Sequence, residues 1–253
     1  MESRLYLETA VKQERTYIKD MYFTAPYKIM SPFTEENHID IVLMSASAGL
    51  LSGDSFVGEL KFGEGSDVTY LSQSYEKVFC KKQLPATKRV TMEVGSGARV
   101  KYLPYPMIPF AGSDFSMETE VHLKEDATFI YGDIFTCGRT GMGEFFQMEC
   151  YESRTKIYVE EKLAFADHTL ICPKKFHYNR LGMWNQYTHN GILYVHIPDK
   201  HKELEIVEEV RKNLVMDHGI FGVSACCKGI AVRILAMSGE EIYGAFQWIS
   251  DKI

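Results

Sequence analysis

A repeated alternation of apolar and polar residues is the feature that most restricts the fold of this chain. It is clearest in residues 89–94, 99–102 and 120–123, where every second side chain is apolar. A period of two is typical of β-strands that bury one face. A Gly-Ser-Gly turn at residues 95–97 separates the first two of these segments. The pattern therefore predicts a mainly β fold built from half-buried strands.

Further strand-like segments rich in β-branched and aromatic residues extend this pattern over the first two-thirds of the chain. They are residues 39–44, 68–71, 128–131 and 157–159. Their spacing is that of a sandwich or of stacked sheets, and so many similar strands also suit a solenoid-like stack. We therefore expect residues 1–197 to form a β-rich body.

Helical patterns occur only in the last third of the chain. Pro198-Asp199 precedes an amphipathic segment, and Ser238 with Glu241 forms a capping box before a second one. The apolar positions predicted to face the core are Leu204, Val207, Val210 and Leu214 in the first helix, and Ile242, Phe246 and Ile249 in the second. Residues 219–235 predict a pair of strands between the helices. We expect residues 198–253 to form an α+β part of one domain that spans residues 1–253.

Composition and charge exclude several classes of function. The 253-residue chain has a net charge of −6, whereas surfaces that bind nucleic acid are usually strongly basic. No apolar run approaches the 18 to 20 residues needed to cross a bilayer, and residues 1–4 do not resemble a signal peptide. The chain is therefore expected to be cytoplasmic, with no nucleic-acid or membrane partner.

The six cysteines are scattered without a Cys-x-x-Cys pair, so the sequence predicts reduced thiols and neither a disulfide framework nor a zinc site. Cys137 lies beside Arg139, which would lower its pKa, but a small buried residue is the preferred interpretation. No phosphate-binding loop, dinucleotide fingerprint or hydrolase motif is present. The eight histidines are single, and His168 and His189, each beside polar residues, are the best candidates for a ligand.

Carboxylates in apolar or small-residue surroundings are the more informative polar residues, because a buried ionised group needs a partner or a cation. The candidates are Asp54, Asp133, Asp167, Glu144 and Glu76. Each also has a purely structural interpretation. Asp54 and Asp167 suit local turns, Asp133 suits an ion pair with Arg139, and Glu144 and Glu76 suit surface or paired positions.

Four segments in a fixed order resemble the UreD family of urease accessory proteins, also called UreH. They are Ser-Ala-Ser-Ala-Gly-Leu-Leu-Ser-Gly-Asp at residues 45–54, Ser-Gln-Ser-Tyr-Glu-Lys-Val at 72–78, Pro-Tyr-Pro-Met-Ile-Pro-Phe-Ala at 104–111, and Tyr-Gly-Asp-Ile-Phe-Thr-Cys-Gly-Arg at 131–139. The resemblance extends from about residue 26 to residue 188. The three prolines of the third segment predict an extended piece at an edge or surface.

The resemblance implies a fold of two stacked β-sheets and a function in metallocentre assembly rather than catalysis. It implies a scaffold that docks on apo-urease (UreA, UreB and UreC) and recruits UreF, which binds the nickel-delivering GTPase UreG. It also implies an internal tunnel for nickel in transit, with no tightly bound cofactor. Asp54, Asp133 and Asp167 are the positions matched to the acidic residues of that tunnel, with Glu144 as a further candidate.

Two alternatives remain open at the level of the sequence. One is a β-sheet enzyme or small-molecule binding protein that uses Asp133, Glu144 and Arg139. The other is a pure interaction scaffold in the same assembly, whose carboxylates are structural and which nickel never enters.

Overall fold

The fold is known from a computed structural model that describes residues 1–80 and 84–253. The strands of the first half are β1 (Glu2–Lys12), β2 (Arg15–Phe23), β3 (Tyr27–Ile29), β4 (Phe33–Glu35), β5 (His38–Ser45), β6 (Ser55–Phe62), β7 (Asp67–Ser72), β8 (Glu76–Val78) and β9 (Ala86–Val94). Those that follow are β10 (Arg99–Tyr102), β11 (Met107–Pro109), β12 (Asp114–Leu123), β13 (Thr128–Thr136), β14 (Cys150–Val159), β15 (Lys162–Ile171), β16 (His189–His196), β17 (Gly219–Cys226) and β18 (Gly229–Ala236). The helices are α1 (Lys200–Asn213) and α2 (Gly239–Ser250), and a 3-10 turn covers Thr140–Met142.

Within the described residues these strands form two sheets, of seven and eleven strands. The first sheet has the order β15-β14-β12-β9-β6-β1-β2. The second has the order β17-β18-β16-β13-β10-β7-β5-β3, with β4, β8 and β11 paired beside this path. The prediction of a mainly β fold with two stacked sheets and a small helical contribution in the C-terminal third is confirmed.

The chain winds as a coil that alternates between the two sheets. From β5 to β14 successive turns add parallel strands to each sheet, such as β6, β9 and β12 in the first and β7, β10 and β13 in the second. The turn at residues 95–97 therefore carries the chain across to the other sheet instead of closing a hairpin. Gly95 packs against residues 63 and 64, in the preceding turn of the coil. A Cβ atom at Gly95 would lie 2.7 Å from the amide nitrogen of Glu64.

The main apolar core lies between the sheets and includes inward-facing residues such as Leu60, Met92 and Phe129. A second core lies on the other face of the second sheet, where α2 packs against β13, β16 and β18 and α1 packs against β17 and β18. This arrangement leaves β13 buried on both faces. The assignment of residues 1–253 to one domain, with a β-rich body up to residue 197 and an α+β part after it, stays a prediction.

Both helices begin where the sequence predicted, but one residue of the first helix that was expected to face the core does not. Asp199 caps α1 by accepting hydrogen bonds from the amides of His201 and Lys202. The hydroxyl of Ser238 accepts from the amide of Glu241 at the start of α2. Leu204 was expected to face the core but is 51% exposed, because α1 buries Ile206, Val207 and Val210 against the sheet. The predicted strand pair between the helices is present as β17 and β18.

The prediction that all six cysteines are reduced thiols is wrong for two of them. Cys150 at the start of β14 and Cys172 just after β15 form a disulfide between neighbouring antiparallel strands. Sequence spacing does not reveal such a pair, because the strand register brings the two residues together. Cys137 is buried, and burial raises the pKa of its thiol to about 11, which supports a packing role. None of the helices formed by residues 1–80 and 84–253 combines the length and apolarity required to span a membrane.

Candidate functional site

Three neighbouring strands of the second sheet are interrupted at the same level. The interruptions are residues 46–49 after β5, residues 73–75 between β7 and β8, and residues 103–106 between β10 and β11. Pairing resumes beyond each of them, through Leu50 with Val78 and through β8 with β11. Three of the four segments that resemble the UreD family therefore stack at one place in the fold.

Local sequence explains two of these interruptions. Pro104 and Pro106 have no amide hydrogen and cannot donate to a sheet ladder. Gly49 has φ +148°, and a Cβ atom there would lie 2.3 Å from the carbonyl oxygen of Lys77, so only glycine allows this approach. The expectation that residues 104–110 lie at an edge or surface is wrong for residues 107–109, because β11 pairs with both β8 and β13.

A cavity of about 180 Å³ opens between the sheets behind the interruptions. Its wall includes the exposed residues Ser45, Ser47 and Ala48, so the cavity reaches the protein surface at this loop. The polar and ionisable side chains that line its interior are Tyr27, Tyr70, Glu76, Lys88, Tyr102, Thr119, Tyr131 and Asp133. The cavity between the two sheets therefore combines apolar walls with a group of polar and ionisable side chains.

Asp133 lies in β13 on the face that points toward the first sheet. The hydroxyl of Ser153, in β14 of that sheet, donates a hydrogen bond of 3.0 Å to the Asp133 carboxylate. Burial raises the pKa of Asp133 to about 6, despite the opposing effects of this hydrogen bond and of Lys88. The predicted ion pair of Asp133 with Arg139 is not formed, since Arg139 binds Glu144 instead.

Glu76 and Lys88 form an ion pair across the cavity. The Lys88 ammonium, from β9 of the first sheet, lies 2.6 Å from the Glu76 carboxylate in β8 of the second. The Tyr27 hydroxyl donates to the other carboxylate oxygen of Glu76 at 2.8 Å. Burial would lower the pKa of Lys88, but the charge and hydrogen bond of Glu76, together with other negative groups at the cavity, outweigh burial and raise the pKa. Burial also raises the pKa of Tyr27, with a further contribution from Glu76.

Asp167 lies near Asp133 but outside the cavity wall. It faces inward from β15, where its side chain is 7% exposed and binds Arg233 of the second sheet. The hydroxyl of Thr169 donates to its other oxygen at 3.1 Å. Its negative charge contributes to the raised pKa of Asp133. Asp167 therefore belongs to a strand and an inter-sheet ion pair rather than to a local turn.

Asp54 and Glu144 lie in loops and do not line the cavity. Asp54 accepts hydrogen bonds from the amino group of Met1 and from the amide of Leu51, which fits the turn interpretation. Burial would raise the pKa of Asp54, but these hydrogen bonds lower it. Glu144 is held by Arg139, and the hydrogen bonds from that guanidinium lower its pKa.

The residues of the enzyme alternative do not converge on the cavity. Asp133 lines it, whereas Glu144 and Arg139 pair with each other in a loop, where Arg139 also stacks over Phe110 with 4.4 Å between guanidinium carbon and ring centroid. The candidate ligand His189 is buried and contacts the Thr188 hydroxyl, and burial lowers its pKa. Across residues 1–80 and 84–253, no group of three or more histidines, cysteines or carboxylates has the geometry to hold a metal ion.

Comparison with known proteins assigns the chain to a family. A family model described as UreD urease accessory protein matches residues 1–251. The chain belongs to the UreD family of urease accessory proteins. It is 35% identical to the urease accessory protein UreD of Acetivibrio thermocellus over 95% of this chain and 93% of that protein. It is 32% identical to the urease accessory protein UreH of Helicobacter hepaticus over 90% of this chain and 88% of that protein.

The UreD match is longer than the sequence motifs indicated. The motifs suggested a resemblance from about residue 26 to residue 188, whereas the family model also includes β1, β2 and the whole helical part. Lys88 and Tyr27 were missed as cavity residues. Lys88 has the same parity as Ala86, Val90 and Met92, which are buried. A lysine on the buried face of an alternating strand was the available signal, but the predicted strand began only at residue 89.

Proposed function

We propose that this UreD family member is a non-enzymatic, cytoplasmic scaffold that is required to insert nickel into apo-urease. It bridges urease, formed by UreA, UreB and UreC, to UreF and the GTPase UreG. Nickel passes through the cavity between the sheets on its way to urease. The observation that carries this proposal is the presence of the half-buried ionisable groups Glu76, Lys88 and Asp133 in a cavity that reaches surface loops.

The chemistry of these groups suits transit rather than storage. Ni²⁺ accepts carboxylate oxygen and water as ligands, and passage requires several weak contacts instead of one tight cage. Glu76 and Asp133 supply single carboxylates, and the buried tyrosine hydroxyls can hold water around a passing ion. We place Asp133 at the centre of the path and Asp167 beyond it. Asp54 and Glu144 act instead by fixing loops through their partners.

Coexpression tests the maturation role. Urease subunits, UreF and UreG are produced with and without this chain, and the nickel content of purified urease and its rate of urea hydrolysis are measured. The proposal predicts that both depend on the chain and that the chain copurifies with UreF and with apo-urease. Equal nickel content and activity without the chain, or the absence of any complex, would refute it.

A pure scaffold and a nickel path predict different effects of replacing Asp133. In a pure scaffold, any loss of nickel insertion caused by Asp133→Asn should come with an equal loss of the partner complex. If nickel passes Asp133, insertion should fall while the complex stays intact. The exposed Asp251 provides the matched control, because Asp251→Asn makes the same chemical change on the surface.

A further inference from the structure

The ion pair of Lys88 with Glu76 joins the two sheets across the cavity. Lys88 belongs to β9 of the first sheet and Glu76 to β8 of the second, and both side chains line the cavity. Their side chains are only 10% and 17% exposed, and the Nζ–Oε2 distance is 2.6 Å. The pair therefore places a positive charge in the cavity through which a cation would pass.

Both carboxylate oxygens of Glu76 are already engaged. Lys88 donates to Oε2 and the Tyr27 hydroxyl donates to Oε1. The Lys88 ammonium also lies 5.4 Å from the ring centroid of Phe56, a second attractive contact within the cavity. A metal ion that coordinates Glu76 must therefore replace at least one of these hydrogen bonds.

Of the two donors, the ammonium is the one that a divalent cation displaces. Two cations cannot share one carboxylate in a confined, weakly polar space without strong repulsion. A lysine ammonium is a compact charge on a flexible four-carbon stem, so it can move away while remaining protonated. The Tyr27 hydroxyl carries no charge and has no comparable repulsion to relieve.

We propose that Lys88 is a resident counter-ion that occupies Glu76 while the cavity is empty, and that an entering divalent cation must displace it. Lys88 thereby keeps cation binding in the cavity weak and reversible. The inference rests on the proposed function for its biological purpose, since only a transit path benefits from weak binding. The exchange itself is a property of the isolated chain.

Equilibrium dialysis of the purified full chain against Ni²⁺, up to millimolar concentrations, tests the exchange. Lys88→Met removes the charge and keeps the length of the side chain, so Glu76 becomes available to the ion. Because a unit charge at about 4 Å changes cation binding strongly even at an intermediate dielectric constant, the affinity for Ni²⁺ should rise by roughly tenfold or more. Lys61→Met is the matched control, because Lys61 lies on the outer face of the same sheet, paired with Glu59. An affinity unchanged by Lys88→Met, or raised equally by Lys61→Met, overturns the proposal.

A second variant covers the case in which Lys88→Met leaves Glu76 unpaired and fails to fold. Lys88→Met combined with Glu76→Gln gives a neutral pair, and replacing a whole buried ion pair is far better tolerated than breaking one. This double variant should bind Ni²⁺ more weakly than the wild-type chain, because the ligand charge is gone. Binding as tight as that of the wild type, or tighter, would show that Glu76 is not the ligand and overturns the proposal.

Nickel transit and the counter-ion role of Lys88 can be refuted independently of each other. If Lys88→Met binds Ni²⁺ no more tightly, but urease activation still depends on Asp133, nickel transit stands and the counter-ion role falls. If Lys88→Met binds Ni²⁺ more tightly, but urease activation is independent of the chain, the cavity is a cation site without a role in transit.

Discussion

Replacing Asp133 by asparagine should stabilise the fold increasingly as the pH rises. The pKa of Asp133 is raised from 3.8 to about 6, and burial is the main cause. Since the folded-state pKa lies above the unfolded-state value, the protonated carboxyl favours the folded chain. Its contribution to stability is fully present below about pH 4 and is lost as the pH rises through about 6.

The magnitude follows from the shift in pKa. A difference of about 2 pKa units corresponds to about 3 kcal/mol of stability lost between acidic and neutral pH. Asp133 faces a cavity that can admit water, so the measured effect should be smaller. We expect the gap in unfolding free energy between Asp133→Asn and the wild type to widen by about 1–2 kcal/mol from about pH 4.5 to about pH 7.5.

Urea unfolding followed by circular dichroism at several pH values measures this gap. The asparagine side chain keeps an oxygen that can accept the Ser153 hydrogen bond, so the comparison isolates the charge. Asp251→Asn, on the surface, is the matched control for the same chemical change. A gap for Asp133→Asn that is constant, or that narrows as the pH rises, would refute the assignment of Asp133 as a buried carboxyl.

Two further predictions concern the fold. Gly95→Ala should destabilise the chain by about 1–3 kcal/mol in urea unfolding, because its Cβ would lie 2.7 Å from the amide of Glu64. Gly244→Ala, in α2 with open space around it, should stabilise the chain by about 0.5–1 kcal/mol. If Gly95→Ala were the more stable of the two variants, the close packing of Gly95 against Glu64 would be contradicted. Cys150→Ser should lower stability by about 2–4 kcal/mol, because the disulfide with Cys172 spans 22 residues. Adding a reductant should bring the wild type to the variant's stability, and no difference between them without reductant would contradict the pairing.

The elements of this fold could largely be predicted from the sequence because their signals are local. Alternation identified strands such as β9, β10 and β12, and capping residues identified the starts of both helices. Strand pairing could not be obtained in the same way. Each turn of the coil pairs strands that are some thirty residues apart, for example Phe62 with Val94, and a period of two does not specify which sheet a strand joins.

The candidate site was predicted only in part for the same reason. Asp133 stood out because it is a carboxylate in an apolar strand, and it does line the cavity. Asp54 and Glu144 stood out by the same criterion, but nearby donors in their loops bind them. The partner of Asp167, Arg233, is 66 residues away in the other sheet. Partners at such separations follow from the fold, and no local pattern reveals them.

Lys88 shows how an error in a predicted strand boundary hides a residue of the candidate site. The predicted strand covered residues 89–94, whereas β9 begins at Ala86. With three more residues the alternation would have placed Lys88 among apolar neighbours on the inner face. A charged residue at such a position indicates a buried partner, which here is Glu76.

The most direct test of nickel passage is the nickel content of urease matured with wild-type or Asp133→Asn chain. Complexes of the chain with UreF, UreG and apo-urease are matched in amount by gel filtration before nickel is supplied. Because Asp133→Asn is expected to be at least as stable as the wild type at neutral pH, unfolding would not explain a defect. The account predicts several-fold less nickel per urease with Asp133→Asn and an unchanged level with Asp251→Asn. Equal nickel content with the wild type and Asp133→Asn would contradict passage of nickel past Asp133.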